Sequence, residues 1–158
     1  IPPRGGDTLF VDTEALFADL APQLRERLEK LTATHDILRS YGWKLSPDEQ
    51  KALHEKHPPQ DHPVVRVHPE SDAKSLFVNP GFTTRINGVD EKESEELLNL
   101  LYDRLRIPEY QVRFSWTPNA IVFWDNRSTQ HYPVADYWPH EREVERVTIV
   151  GDKPFGVS

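Results

Sequence analysis

The sequence predicts a mainly β fold with helical insertions, of the sandwich or barrel type, and three observations predict it. Fourteen prolines are spread along the 158 residues and separate short segments. Several of those segments alternate apolar and polar residues, which is the period of a half-buried strand. Two or three others repeat apolar residues at helical spacing. Many short strands with a few amphipathic helices are typical of a sandwich or barrel with helices outside.

The first elements follow in order from local patterns. The stretch GGDTLFVD reads as a glycine turn that feeds a strand. The stretch TEALFADLAPQLRERLEKL repeats leucine at helical spacing, and Asp12 or Thr13 is placed to cap it. In SPDEQKALHEKH, Ser46 is a good N-cap and Pro47 fits the first turn, so a short helix is expected there.

The second half of the chain predicts more strands around one long helix. HPVVRVHPESDAKSLFVN reads as two strands around a polar turn, and EKESEELLNLLYDRLRI as an amphipathic helix with acids first. YQVRFSWTPNAIVFWDN reads as a hairpin with a Pro-Asn turn. REVERVTIV reads as the last strand. The inner faces of the first strand pair are predicted to carry Val65, Val67, Leu76 and Val78.

Composition limits the classes of function. Hydrophobic residues make up 37% and charged residues 28%, which suits a soluble globular domain, and no apolar run approaches the roughly 18 residues of a membrane span. The net charge of −7 disfavours a nucleic-acid partner. Zero cysteines exclude disulfides, thiolate metal sites and a cysteine nucleophile. We therefore expect a cytoplasmic protein with neither nucleic acid nor membrane as partner.

The start of the chain predicts that an N-terminal portion is missing. The chain holds no methionine and begins Ile-Pro-Pro without a signal segment, although translation starts with methionine. A processed natural terminus is the alternative. With 158 residues the chain fits one domain, so residues 1–158 are predicted to be a single domain that is incomplete at its N-terminus.

Two arginines on the last predicted strand have the chemistry of anion binding. Arg142 and Arg146 share a face in an extended chain and would stand roughly 13 Å apart at about 3.3 Å per residue. A guanidinium group binds carboxylates, sulfonates and phosphates through paired hydrogen bonds. The alternative is a solvent-exposed strand whose charges pair with its neighbours at little gain in stability.

The residues by themselves leave His131 ambiguous. It lies in a polar turn after an apolar stretch, where a histidine is more often a surface or hydrogen-bonding residue than a metal ligand. The chain holds neither an HxxxH zinc helix nor an HxH pair, and it lacks a GxSxG elbow and a phosphate-binding glycine loop.

A family resemblance resolves that ambiguity. WDNRSTQHYPVADY, followed by two arginines and GDKPF, closely resembles the C-terminal signature of the taurine dioxygenase (TauD/TfdA) family of Fe(II)- and 2-oxoglutarate-dependent oxygenases. GGDTLF, HPVVRVHPES and LFVNPGFTTRI resemble segments of the same family in the same order. The resemblance extends from Gly5 to the end of the chain.

The resemblance implies a double-stranded β-helix (jelly-roll) and a set of site residues. His131 matches the distal histidine of the iron triad. Arg142 and Thr8 match the arginine and threonine that hold the far carboxylate of 2-oxoglutarate. Arg146 matches the arginine that faces the anionic head of the primary substrate. Implied with them are Fe(II) as cofactor, 2-oxoglutarate as cosubstrate and O2.

The sequence departs from the family pattern at the other iron ligands. The family's HxD pair lies shortly before the GGDT turn, whereas only seven residues precede Thr8 and the chain contains no HxD. We expect the pair to lie upstream of Ile1. The chain as given would then supply one of three protein ligands, bind iron poorly, and be inactive by itself.

Further residues are predicted around the site. The resemblance and the residue types suggest that Ser40, Tyr41 and Phe82 bind substrate and that Trp124 lines the oxygen pocket. Asp125 and Asn126 are predicted to tie the turn that presents His131. Trp116 is interpreted as an ordinary core residue. No catalytic residue beyond the metal site is predicted.

The function implied is hydroxylation of a small anionic organosulfur substrate, of which a taurine-like sulfonate is favoured. The hydroxylated carbon would lose its sulfur group, giving an aldehyde and sulfite. Alternatives within the family are an alkylsulfatase and an aryloxyalkanoate dioxygenase. Outside it, a metal-free jelly-roll with a binding or regulatory role stays open, as does a structural reading in which His131 and both arginines form surface pairs. A homo-oligomer is expected.

Overall fold

The structure, a computed structural model, describes residues 1–157, and it combines antiparallel strands with helical segments, as predicted. Within that range there are eight strands and five α-helices, which is more helices than the sequence predicted. The strands are β1 (Thr8–Asp12), β2 (Thr32–His35), β3 (Gln60–Pro63), β4 (Val65–Val67), β5 (Lys74–Leu76), β6 (Thr83–Ile86), β7 (Gln111–Phe114) and β8 (Thr129–Pro133). The helices are α1 (Thr13–Ala18), α2 (Pro22–Leu28), α3 (Leu38–Tyr41), α4 (Pro47–Lys56) and α5 (Glu91–Leu105).

The strands form three small antiparallel sheets. Their orders are β7-β1-β8, β3-β2-β6 and β4-β5. In the first sheet, Thr8 lies opposite Phe114 on one side and Pro133 on the other. The β4-β5 hairpin is confirmed, with Val65 opposite Leu76 and both side chains buried. The short strands β2, β3 and β6 have no alternating pattern long enough to predict them.

The first predicted helix is interrupted. Asp12 caps α1, since its Oδ1 accepts from the backbone N–H groups of Glu14 and Ala15 at 3.0 Å. The helix then ends, and α2 begins at Pro22, whose ring has no N–H to continue the ladder. The leucine spacing survives this break because Leu16 and Leu28 on the two helices are both buried in one core.

The later helices match their prediction. Ser46 forms a capping box with Glu49 at the start of α4. Asp90 caps α5, whose buried face packs into the core. Complete burial of a leucine such as Leu101 is worth about 2 kcal/mol. No helix among residues 1–157 is long and apolar enough to cross a membrane.

Two predicted strands are wrong. After β7 the chain does not fold back into a hairpin, and Ile121 and Phe123 are 93% and 88% exposed. Residues 141–150 form no strand either. An alternating pattern predicts which face a strand would bury, but a strand forms only where another backbone lies beside it to accept and donate hydrogen bonds. Neither segment has such a neighbour among residues 1–157: β7 pairs with β1 alone, and its other edge stays open.

Candidate functional site

The candidate site lies on one face of the β7-β1-β8 sheet. Phe10 of β1 lies opposite His131 of β8, and Thr8 is two residues before Phe10. Alternate residues of a strand share a face, and paired residues of neighbouring strands share it as well. Thr8, Phe10 and His131 therefore face the same way.

His131 is half-buried in an aromatic environment. Its ring centroid lies 5.1 Å from that of Trp124 and 6.2 Å from that of Phe10, and Trp124 also contacts Phe10 at 5.2 Å. Burial, and then the positive charge of Arg146, lower the pKa of His131. The imidazole is therefore neutral at neutral pH, which is the form that binds metal ions.

Thr8 and Arg142 meet although 134 residues separate them. Arg142 donates from Nη2 to Thr8 Oγ1 at 3.2 Å and from Nε to the carbonyl oxygen of Gly6 at 2.7 Å. Thr8 is only 5% exposed. The structure thus brings a guanidinium group and a hydroxyl group together on the face of the sheet that carries His131.

The two glycines before Thr8 make this approach possible. Gly5 and Gly6 both have a φ of +71°, a left-handed conformation that glycine adopts without penalty. A Cβ on Gly6 would stand 3.0 Å from Cδ of Arg142, and a Cβ on Gly5 would stand 2.5 Å from Oδ1 of Asp136. Asp136 Oδ1 accepts from the Gly6 N–H at 2.8 Å, which lowers the pKa of that carboxyl group.

Arg113 fixes the same turn from β7. Its Nε donates to Oδ2 of Asp7 at 2.6 Å, and its Nη2 donates to Oδ2 of Asp136 at 3.2 Å. These bonds connect the glycine turn, β7 and the loop after β8. Arg142 therefore enters a turn that several partners hold in place.

Arg146 is exposed, and its positive charge contributes to lowering the pKa of His131. The prediction that it shares a strand face with Arg142 is wrong, because residues 141–150 are not a strand. The surroundings of the two arginines differ: Arg142 contacts Thr8, whereas the charge of Arg146 lowers the pKa of His131.

The predicted substrate residues form a separate patch. Ser40 donates from Oγ to the carbonyl oxygen of Gly81 at 2.5 Å, and the rings of Tyr41 and Phe82 lie 6.3 Å apart. Phe82 also donates its backbone N–H to Asn79 Oδ1 at 2.9 Å. The structure thus brings Ser40, Tyr41 and Phe82 together.

The patch reaches the sheet of the site through one contact. Gln130, the neighbour of His131, donates from Nε2 to the carbonyl oxygen of Val78 at 2.8 Å. Val78 immediately precedes the Asn79–Phe82 loop. Gln130 and His131 are consecutive on β8 and point to opposite faces of the sheet, so the patch is connected to β8 from the face opposite to His131.

The turn before β8 is tied more extensively than predicted. Asp125 Oδ1 accepts from the backbone N–H of Arg127 at 2.8 Å, and Asn126 Oδ1 accepts from Trp124 Nε1 at 2.8 Å, as expected. The side chain of Arg127 also donates to Asp125 and to Glu70. The bonds from Arg127, followed by those from other partners, hold the pKa of Asp125 well below its usual range.

His68 is a residue of this network that sequence reasoning missed. Its Nδ1 accepts from the backbone N–H groups of Glu70 and Ser71 at 3.2 Å, so its proton is on Nε2, which donates to Asp125 Oδ2 at 3.1 Å. The network thereby connects the turn after β4 to the turn that presents His131. No local pattern signals a bond between positions 57 residues apart.

Trp116 is the second residue that was interpreted wrongly. It is half-buried rather than part of the core, and its Nε1 donates to Thr8 Oγ1 at 2.9 Å. The alternation of side chains along the strand could have indicated this contact. Val112 and Phe114 of β7 lie opposite Phe10 and Thr8, and Trp116, two residues later, continues the same face.

The described residues fit one end of a dicarboxylate better than they fit a complete metal site. A guanidinium group beside a buried hydroxyl group is suited to a carboxylate. Among residues 1–157, by contrast, no cluster of three or more His, Cys, Asp and Glu side chains stands ready for a metal ion. His131 fits a metal as one neutral imidazole ligand.

Comparisons with known proteins agree with this chemistry. An alpha-ketoglutarate-dependent sulfate ester dioxygenase of Pseudomonas putida is 38% identical over 99% of this chain and 54% of its own length. The crystal structure of a taurine dioxygenase from Burkholderia xenovorans has a TM-score of 0.72 and 36% identity, covering 86% of this chain and 44% of that chain. The crystal structure of AAD-2 in complex with Mn(II) and N-oxalylglycine has a TM-score of 0.81 and 25% identity, covering 98% and 61%.

The matches cover most of this chain but a smaller share of its relatives. The chain spans about half the length of the curated relatives it matches. The model of the family described as taurine catabolism dioxygenase TauD, TfdA family matches residues 1–148, which is most of the chain. The chain therefore belongs to the TauD/TfdA family.

Proposed function

We propose that the protein is an Fe(II)- and 2-oxoglutarate-dependent dioxygenase that hydroxylates a small anionic organosulfur compound. Residues 1–158 would be part of a single dioxygenase domain with a double-stranded β-helix. One observation carries the proposal: a buried hydroxyl group and a guanidinium group, Thr8 and Arg142, meet on the sheet face that carries His131.

The role of Thr8 and Arg142 is to hold the far carboxylate of 2-oxoglutarate. A guanidinium–carboxylate bond is charge-assisted and about twice as strong as a neutral hydrogen bond. Burial of Thr8 beside the half-buried Arg142 strengthens it further because less water competes there. Holding the far end fixes how deep the cosubstrate sits and where its keto-acid end points, which is positioning in the sense that speeds a reaction.

His131 would hold the iron together with ligands that this chain does not supply. When bound, iron with 2-oxoglutarate and O2 supplies the oxidation that yields succinate and CO2 and hydroxylates the substrate. The chain's contribution at this point is the neutral imidazole of His131 and the two rings, Phe10 and Trp124, that contact it. These rings exclude water from the side of the imidazole that they cover.

Arg146 would bind the anionic head of the primary substrate. Its positive charge lowers the pKa of His131, so the two groups are within electrostatic range of each other. A sulfonate or sulfate offers oxygens that match the guanidinium donors. Tyr41 and Phe82 supply an apolar surface for the rest of the molecule. Hydroxylation of the carbon that bears the sulfonate gives an unstable product that breaks down to an aldehyde and sulfite.

An alkyl sulfate ester is a second candidate substrate, and the Pseudomonas putida relative favours it. Its head group presents a similar set of oxygens to Arg146. In that case the hydroxylated carbon releases sulfate instead of sulfite and again leaves an aldehyde.

The test is succinate formation by the complete protein with Fe(II), 2-oxoglutarate and O2. Separate reactions contain a taurine-like sulfonate, an alkyl sulfate and no primary substrate. We expect a sulfur substrate to raise succinate formation at least tenfold, with sulfite or sulfate released in equal amount. Arg106→Ala changes an exposed arginine that pairs with Asp103 on the surface. It should leave succinate formation unchanged and serves as the control for variants of Arg142 and Arg146.

The alternatives give different results. A metal-free binding protein would bind 2-oxoglutarate or a sulfonate in calorimetry without forming succinate, and this outcome would overturn the proposal of catalysis. Succinate formation that no sulfur compound stimulates, while an aryloxyalkanoate does, would overturn the proposal of an organosulfur substrate.

A further inference from the structure

The hydroxyl oxygen of Thr8 is a partner in two hydrogen bonds. Trp116 Nε1 reaches Oγ1 at 2.9 Å, and Arg142 Nη2 reaches it at 3.2 Å. An indole N–H and a guanidinium N–H are donors only. The Thr8 oxygen must therefore act as the acceptor in both bonds.

The count of donors and acceptors leaves the proton of Thr8 unused. A hydroxyl group offers two acceptor lone pairs and one proton, and both lone pairs are occupied. Among residues 1–157, the hydrogen bonds of Thr8 Oγ1 are these two, and in neither does the hydroxyl group donate. Because Thr8 is buried, an unused donor there is costly, and an acceptor from outside the chain is the natural partner.

We propose that Trp116 is a positioning residue that makes Thr8 a donor toward the far carboxylate of 2-oxoglutarate and so contributes to selection of a dicarboxylate. This inference rests on the function proposed above and adds to it a residue that does not touch the cosubstrate. By occupying one lone pair, the indole restricts the hydroxyl rotor, and the proton can then point only away from Trp116 and Arg142.

The fold explains how Trp116 reaches Thr8. Phe114, the last residue of β7, lies opposite Thr8, and its ring packs edge-to-face against Trp116 with centroids 5.1 Å apart. Two residues beyond the end of β7, the indole lies on the same face as the hydroxyl group. Phe114 thereby holds the ring in the orientation that aims its N–H at Thr8.

The experiment compares two cosubstrates that differ only at the far end. 2-Oxopentanoate carries a methyl group where 2-oxoglutarate carries its second carboxylate. Binding of each is measured by calorimetry to the complete protein with Mn(II) in place of iron, so that turnover does not interfere. The variants are Trp116→Phe, Thr8→Val and the double variant, with Trp138→Phe as control because Trp138 is 85% exposed.

The expected result is a loss that depends on the far carboxylate. Trp116→Phe weakens binding of 2-oxoglutarate about fivefold and leaves binding of 2-oxopentanoate within twofold. Thr8→Val weakens binding of 2-oxoglutarate by the same factor or more. Adding Trp116→Phe to Thr8→Val causes no further loss of binding, because the indole acts through the hydroxyl group. In turnover, the KM for 2-oxoglutarate rises while kcat at saturation stays unchanged.

Replacing Trp116 with 3-benzothienylalanine tests the N–H group without changing the size of the ring. This analogue keeps the bicyclic shape, so it covers the case in which Trp116→Phe does not fold. We expect the same fivefold loss with 2-oxoglutarate. Equal losses with both cosubstrates, or none with either, would overturn the role of Trp116. Failure of the unmodified protein to bind 2-oxoglutarate would instead overturn the proposed function.

Discussion

The two proposed anion-binding sides of the site differ in how exposed their residues are. On the proposed cosubstrate side, Thr8 is 5% exposed and receives hydrogen bonds from Arg142 and Trp116. On the proposed substrate side, Tyr41 is 52% exposed and Phe82 is 37% exposed. The first side is preformed, whereas the second is open.

This difference suits a site in which the preformed side binds one constant ligand and the open side binds ligands of variable shape. A preformed site has paid the ordering cost of its side chains before the ligand arrives, so it suits a cosubstrate of fixed shape. An open patch of aromatic residues adapts to apolar groups of different shape.

Removal of Arg142 should have the largest effect, because it eliminates the guanidinium group that contacts Thr8. We expect Arg142→Ala to lower kcat/KM for 2-oxoglutarate by about a thousandfold, since a buried charge-assisted bond is lost. Arg142→Lys keeps the charge but not the planar fork and should recover only part of this loss. Steady-state kinetics of succinate formation measures both. A loss below tenfold for Arg142→Ala would contradict the assignment.

Gly6→Ala should damage the same side without removing any functional group. The new Cβ would stand 3.0 Å from Arg142 Cδ in a backbone conformation that alanine disfavours by about 1 kcal/mol. We expect the KM for 2-oxoglutarate to rise at least tenfold. Gly88→Ala is a matched control, because Gly88 also has a positive φ, but its nearest contact is Leu31 at 3.5 Å. If both variants raise KM equally, backbone strain rather than Arg142 is the cause.

Arg146→Ala should affect the substrate side alone. We expect the KM for the sulfur substrate to rise about tenfold, with the KM for 2-oxoglutarate changed less than twofold, because Arg142 is untouched. The comparison of the two KM values from one set of rate measurements decides the matter. A larger change for 2-oxoglutarate than for the sulfur substrate would reverse the two assignments.

Tyr41→Ala and Phe82→Ala should change selectivity rather than turnover. The two rings lie 6.3 Å apart on the open patch, so loss of either removes apolar contact from a flexible part of the substrate. We expect about a threefold shift in the ratio of kcat/KM values for a long and a short alkyl substrate. Leu100→Ala on α5 removes a comparably exposed apolar side chain elsewhere and should leave the ratio unchanged.

Acid should destabilise the part of the fold beneath the substrate side. Burial, and then the nearby His62, lower the pKa of His35 to about 4, while Asp61 opposes this shift. Between pH 6.5 and 4 the unfolded chain therefore binds a proton that the folded chain excludes, so the free energy of unfolding falls as the pH falls. For a ring that is still partly exposed, we expect about 1 kcal/mol.

Denaturant unfolding at pH 7 and pH 4.5 measures this loss. His35→Gln, which cannot be protonated, should flatten the pH dependence over that range, although it lowers stability at both pH values. His57→Gln, on an exposed residue, is the matched control. An unchanged slope in His35→Gln would show that another group takes up the proton.

Elements with local causes were predicted well. The cap of α4 by Ser46 and the amphipathic α5 depend on residues three to four positions apart, and the β4-β5 hairpin is closed by a short polar turn. Prediction failed where pairing is non-local. The apolar run that includes Phe123 has the pattern of a strand, yet it does not pair with β7, whose outer edge stays open among residues 1–157.

The sequence by itself determined the chemical inventory and the local turns: the imidazole of His131, the guanidinium groups, and a Gly-Gly turn that only residues without a side chain form easily. The tertiary structure alone decided which distant residues contact each other. Arg142 and Trp116 reach Thr8 across 134 and 108 residues, and His68 reaches Asp125 across 57. Such contacts arise from strand pairing and packing, which bring distant residues together without leaving a period in the sequence.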